Sequence, residues 1–203
     1  MKIQKATVVV DLTPSEDEIM HSIHKDARWG VRKAQKEGLE VRESADESDW
    51  SIFYEMYKNT LIEGGNDPKS LEFLKKTSDK LFLCFKDNRV IGGAVIKTSG
   101  IENPRLRFNA SLKEYQSLQP NNILYWNCIL WCKNKGYKKF DLGGWQINAR
   151  GHLEGVNKFK EKWGNVVYYE ENAGFFKGIG KKLVKNSRFF WWLNQKLKGR
   201  RTG

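Results

Sequence analysis

Residues 136–164 hold the side chains whose types and spacing could do chemistry. Phe140 and Leu142 alternate with Lys139 and Asp141, the period of a half-buried strand. The Gly143-Gly144 pair predicts the end of that strand, where the chain turns or a ligand or second backbone comes close. A loop with Arg150, Gly151 and His152 follows, then a short helix with Val156, Phe159 and Trp163 on one face. Lys158, Lys160 and Lys162 point elsewhere, and Gly164 closes the helix. A strand end, a glycine turn and a lysine-bearing helix can hold a reacting group against a positive charge, and Lys160 is the candidate for it. The plain alternative is one of three solvated helix lysines. Asp141 could accept a proton or orient an amine, or simply cap its own turn. Gly143 and Gly144 could present N–H groups to a developing oxyanion or only permit the turn; the two roles are compatible. His152 could act as a base, although no orienting partner is visible beside it. No Ser–His–Asp arrangement can be assembled from spacing, so a covalent acyl-enzyme is not expected.

The elements that must position these groups are expected to form one domain over 1–171, since 203 residues suffice for one sizeable core. Aromatics make up 13% of the chain, eight of them Trp, so burial should be ample. No apolar run approaches a bilayer crossing and no secretory leader is read at the start. Cys84, Cys128 and Cys132, odd in number and without a CxxC pair, read as reduced thiols in a cytoplasmic protein. No metal site is expected, because no histidine lies near the cysteine pair. The net charge is +12, and nine of the 36 Lys and Arg lie in 172–203, which holds no Asp or Glu. The remainder has 27 basic residues against 24 acidic ones, so the excess sits in the tail. Apolar residues at helical spacings make 172–203 a basic amphipathic helical tail, suited over 175–201 to an anionic membrane surface or RNA. A solvated helix that only aids solubility is the simpler account.

Along the chain, 7–11 reads as a strand. Thr13-Pro14-Ser15-Glu16 then starts one long helix with Thr13 as N-cap, striped by Ile19, Ile23, Ala27, Val31 and Ala34 and stopped at Gly38. Lys25, Arg28, Arg32 and Lys36 form a basic stripe on it. Arg28 and Arg32 could hold a phosphate or carboxylate, or be solvated surface. His21 and His24 read as surface histidines. A strand over 39–43 and a helix around Trp50, Phe53, Tyr54 and Tyr57 come next, ended by Gly64-Gly65. A helix opened by Asp67-Pro68 precedes a hairpin of 81–85 with 90–96. A strand over 105–111, an apolar helix over 123–135 with Leu124, Ile129 and Trp131 facing the core, and a last strand over 166–170 complete the order.

This order predicts an α/β (α+β) fold with a mixed sheet and helices on both faces, the 123–135 helix making a right-handed crossover between parallel strands. It resembles the GNAT (Gcn5-related N-acetyltransferase) fold, in a mostly antiparallel form. GNAT enzymes that bind acyl-CoA cradle its pyrophosphate in a glycine-rich loop before the crossover helix. Here the corresponding 112–122 segment has no glycine and contains Pro120, which lacks an N–H.

More specifically, Arg28, Arg32-Lys33-Ala34, Lys36 and Gly38 resemble the R-x-x-x-R-K-A-x-K-x-G signature of Fem-type (FemABX) peptidyltransferases. Leu124-Tyr125-Trp126, the Gly136…Phe140-Asp141-Leu142-Gly143-Gly144 run and the Gly155…Phe159-Lys160…Trp163-Gly164 run fall in that family's order. The resemblance covers about residues 7–170 and matches the second of the family's two lobes plus the join before it. It implies an aminoacyltransferase that moves an aminoacyl group from aminoacyl-tRNA, as donor substrate and with no cofactor, onto an amine of a cell-wall (peptidoglycan) precursor or similar acceptor. Lys160 would face the reacting ester, with Phe159 packed beneath it. Trp126 joins Arg28, Arg32, Gly143, Gly144 and His152 among the implied substrate-binding residues. The acceptor could be lipid-linked, and a homodimer, a partner chain or a different acceptor could fill the gap left by the first lobe. The expected location is cytoplasmic, peripheral at the inner membrane face. The alternatives are an acyl-CoA-dependent N-acyltransferase and a non-catalytic module that binds RNA or membrane.

Overall fold

The computed structural model describes residues 2–44 and 46–172; beyond Asn172, the expected basic tail lies outside the described residues. In chain order the elements are β1 (Lys2–Asp11), α1 (Glu16–Ser22), α2 (Lys25–Lys36), β2 (Glu40–Ser44), α3 (Glu47–Glu63), α4 (Leu71–Thr77), β3 (Lys80–Lys86), β4 (Arg89–Lys97) and β5 (Arg105–Ser111). A 3₁₀ turn (Lys113–Leu118), α5 (Pro120–Asn134), β6 (Lys139–Trp145), α6 (His152–Glu161) and β7 (Asn165–Asn172) follow. The chain divides into two compact units, Val10–Gly143 and Met1–Val9 with Gly144–Gly203, the divisions falling inside β1 and β6. Pairing is mixed and mostly antiparallel. Among the described residues no helix is long and apolar enough to cross a membrane.

In the Val10–Gly143 unit, β2, β3, β4 and β5 pair antiparallel in turn, and β6 joins β5 in parallel, with Arg105 opposite Asp141. Asp87 and Asn88 both have positive φ, which makes the tight β3–β4 turn that the 81–96 pattern predicts. Neighbouring glycines of β4 show what covers each face of these strands. A Cβ on Gly93 would lie 2.6 Å from Phe53 of α3, and one on Gly92 would lie 3.3 Å from Leu124 of α5. Successive strand residues point to opposite faces, so α3 covers one and α5 the other. Phe53, Met56, Tyr57 and Leu74 close the α3 side against Leu81, Leu83, Val95 and Ala110.

The long N-terminal helix expected from the sequence is two helices. Ser15, not Thr13, caps α1: its side chain accepts from Glu18 N–H while Glu18 reaches back to Ser15 N–H. Thr13 instead bonds Asp11 Oδ1. Ile23 and His24 are extended, and His24 Nδ1 accepts from Asp26 N–H to begin α2. The apolar stripe runs straight through this break, because Ile23 and Ala27 are both buried. Periodicity alone therefore could not show it. Strand β6 also runs past its glycine pair to Trp145, and the 112–119 segment forms the 3₁₀ turn. Trp131 is half-buried rather than in the core: its indole N–H donates to Glu43 Oε2 at 2.8 Å, and Lys80 and Lys135 stand over the ring. An indole N–H needs such a partner.

Two predictions arise from these contacts. All three cysteines are buried and free. Burial pushes the Cys84 and Cys132 thiols up to about 12 and Cys128 well above its ordinary value. The thiolate is the reactive species, so a thiol reagent at neutral pH should label none of the three in the folded protein and all three in denaturant. The second concerns Asp79. Burial pushes its carboxyl up, but N–H donors of Ser99 and Thr98 and the Lys97 amine outweigh burial and hold it well below the usual carboxylate range. A depressed folded-state value gives stability that is present above the unfolded value, near 4, and lost as pH falls through the folded one. Asp79→Asn should therefore cost about 1 kcal/mol at neutral pH and flatten the acid limb of the stability profile, read by chemical denaturation across pH.

Candidate functional site

In the Val10–Gly143 unit, β6 carries Asp141 and Gly143 to the edge of the unit. Asp141 is 6% exposed, deeper than the half-buried alternation suggests. Its Oδ1 accepts from Gly143 N–H at 2.8 Å, the local turn closure that the sequence offers as one reading of this residue. Its Oδ2 lies 3.6 Å from Arg105 Nε. Gly143 has φ 83°, a conformation L side chains avoid, so glycine is needed inside the strand rather than at its end.

Arg28 Nη1 donates to the carbonyls of His21 and Ile23, both at 2.6 Å. It closes the C-terminal end of α1 and ties the break between α1 and α2. Arg32 is exposed on α2, beside exposed Lys36. Trp126 is 6% exposed on α5. Gly30, within the same signature as Arg28 and Arg32, lets α2 approach α5: a Cβ there would lie 2.6 Å from the Asn122 side chain.

In the Gly144–Gly203 unit, α6 is fixed to the end of β6 and the residue after it by polar side chains. Lys160 is half-buried, and its Nζ donates to Gly144 O at 3.0 Å. One helical turn earlier, buried Asn157 accepts from Gln146 N–H at 3.0 Å and donates to Gln146 O at 2.8 Å. Trp145 Nε1 donates to Glu161 Oε1 at 2.6 Å. Residues three apart share a helix face, so the 157/160 face of α6 lies along the backbone of 144–146. Phe159 and Trp163 rings approach at 6.4 Å, and Trp163 is 2% exposed. Lys158, by contrast, is exposed and pairs with Glu154 at 2.7 Å. His152 is exposed as the first residue of α6, not a loop residue.

The structure thus brings Asp141 to Gly143 in one unit and Lys160 to Gly144 in the other. Asn157 is the residue that sequence reasoning passed over. The available signal was a short-chain amide three residues before the candidate lysine, in a helix whose other polar residues are mostly charged.

An ammonium set against a carbonyl at a strand end is partly withdrawn from water, with its direction fixed. Placed so, it can stabilise oxyanion charge that develops within its reach.

No protein-family model matches the chain, and no curated protein does. Solved structures do. FemX superposes with a TM-score of 0.70 over 79% of this chain and 59% of its own, at 16% identity. The C-terminal domain assigned to a lysylphosphatidylglycerol synthetase of Agrobacterium fabrum gives 0.62 over 84% and 60%, at 12% identity. L-PGS from Bacillus licheniformis gives 0.59 over 99% and 67%, at 13% identity. The chain spans about three fifths of the length of the first two. Such identities speak to fold alone: this chain shares the mixed, mostly antiparallel α/β fold of FemX and of the two synthetase structures.

Proposed function

We propose that this chain is a Fem-type acyltransferase that moves an aminoacyl group from aminoacyl-tRNA onto an amine, with Lys160 facing the oxyanion formed at the ester carbonyl. The observation that carries this reading is the half-buried Lys160 ammonium, directed by its bond to Gly144 O at the end of β6. Asp141 is a buried carboxylate whose role in orienting the amine is part of the proposal. Fold likeness to FemX supports it, while fold by itself does not fix an activity.

The start of α5 favours an aminoacyl-tRNA donor over acyl-CoA. Amides that a glycine loop would turn toward a pyrophosphate are spent inside the chain: Gln119 N–H on Gln116 O, and Asn122 and Ile123 N–H on Gln119 O. Pro120 contributes none. The acceptor is an amine on a cell-wall precursor or a related lipid-linked molecule, met at the inner face of the membrane.

Incubating the protein with aminoacyl-tRNA or acyl-CoA, each with a panel of amines, tests the reading. The expected result is amine-dependent loss of the aminoacyl ester. Amine-dependent thioester consumption would install the acyl-CoA reading instead. No turnover, together with loss of RNA or vesicle binding on deletion of 175–203, would establish a non-catalytic module.

A further inference from the structure

Strand β5 carries a second cationic feature that the reading above does not use. The β4–β5 register steps from Phe108 opposite Val95 to Leu106 opposite Ile96, so Arg107 is the extra residue of a β-bulge. Bulges re-aim a side chain and are frequent beside functional sites. Arg107 is half-buried, its Nε is fully buried, and that N–H has no hydrogen-bond partner. Most buried polar groups find one, so an orphan on a charged side chain asks for an explanation. Arg105, two residues earlier, has a side chain 24% exposed and sits 3.6 Å from Asp141. Burial and the neighbouring Arg105 charge both pull the Arg107 pKa down, against the attraction of Asp141. Since a guanidinium stays charged regardless, Arg107 carries its charge half-buried beside a second cation, with Asp141 as the nearby carboxylate.

We propose that Arg105 and Arg107, on the bulge of β5, form a seat for a nucleotide phosphate. One singly charged phosphate oxyanion would neutralise the surplus cation and give the Arg107 Nε–H the acceptor that it lacks. Half-burial suits a phosphate carried on a narrow strand or cofactor arm, which a flat surface could not present. The seat stands apart from the helix-terminus arrangement by which acyl-CoA enzymes hold a pyrophosphate. It is argued from β5 and β6 alone and does not depend on Lys160.

The test reads arginine Nε–H resonances by NMR in the full chain, titrated with inorganic phosphate, with the trinucleotide CCA as a tRNA-end mimic, with CoA, and with acetate. The Arg107 Nε–H signal, assigned by its loss in Arg107→Lys, should shift saturably with phosphate and at least one nucleotide ligand. Read on the Arg105 Nε–H signal, Arg107→Lys should weaken that ligand about tenfold, a loss typical of one bidentate contact. Arg107→Leu should abolish the saturable shift of the Arg105 Nε–H signal while melting no lower than the parent, because it removes a half-buried guanidinium whose Nε–H has no acceptor. A larger response to CCA than to CoA, or the reverse, identifies the source of the phosphate. No saturable shift with any phosphate ligand, an unchanged affinity in Arg107→Lys, or acetate binding as tightly as phosphate would each overturn the seat. Because binding and not turnover is read, failure here leaves the transferase reading to its own assay.

Discussion

Lys160→Ala is expected to lower turnover of the true donor by roughly 100- to 1000-fold, the loss seen when one oxyanion donor is removed. The fold should survive. The Lys160–Gly144 bond is one hydrogen bond at a half-buried position, worth about 1 kcal/mol to stability. The two costs separate because charge on the carbonyl oxygen develops only as the amine attacks. The loss should therefore fall on kcat, with KM little changed. An ammonium has three donors, so bonding Gly144 O fixes its direction without removing its charge. Lys160→Arg keeps the charge but replaces a compact head with a planar fork, and should recover only part of the rate. Steady-state kinetics beside a thermal melt would check this. An unchanged kcat, or a loss confined to KM, would remove Lys160 from the chemistry.

Phe53→Ala should be the most damaging single truncation of the core, at about 3–5 kcal/mol. Phe53 is fully buried among Leu83, Val95, Ala110 and Tyr57, and its ring stacks on Tyr57 at 6.3 Å between centroids. The same ring explains Gly93. A methyl group there would meet Phe53 Cδ2 at 2.6 Å, Leu83 Cδ2 at 3.1 Å and the Phe82 carbonyl at 3.2 Å. Gly93→Ala should thus cost about 1–3 kcal/mol by overpacking. The two changes should couple: in a Phe53→Leu background the extra methyl has more room, and the combined cost should be less than the sum. Urea denaturation of the four-member cycle measures this. Strict additivity would mean that the β4 backbone, not the ring, takes up the strain.

The physical origin of each signal decides what could be read before any coordinates. The 81–96 hairpin and the apolar α5 were legible because their patterns are local and strong: alternating residues around a two-residue turn, and a long run of buried side chains. The break between α1 and α2 was not, since Ile23 and Ala27 continue one buried stripe across it while His24 and Arg28 satisfy the interrupted backbone. Strand β6 outran its glycine pair for a related reason. Gly143 takes a positive φ within the strand, and Asp141 bonds its N–H; the sequence offers that bond as a turn closure and does not show that the strand continues past it. Lys160 was visible as a candidate through family resemblance. Asn157 and Arg107 were hidden, because burial of a polar residue follows from tertiary packing and a bulge from strand register.

The paired bonds between the Asn157 side chain and Gln146 imitate one rung of a β-ladder, with an amide group in place of a neighbouring strand. Backbone protection at Gln146 then depends on a single side chain borne by α6. Its proton should exchange with solvent at a rate set by how often that helix lets go. This one amide is a built-in gauge of how firmly Lys160 is held, readable by hydrogen exchange without substrate or activity assay.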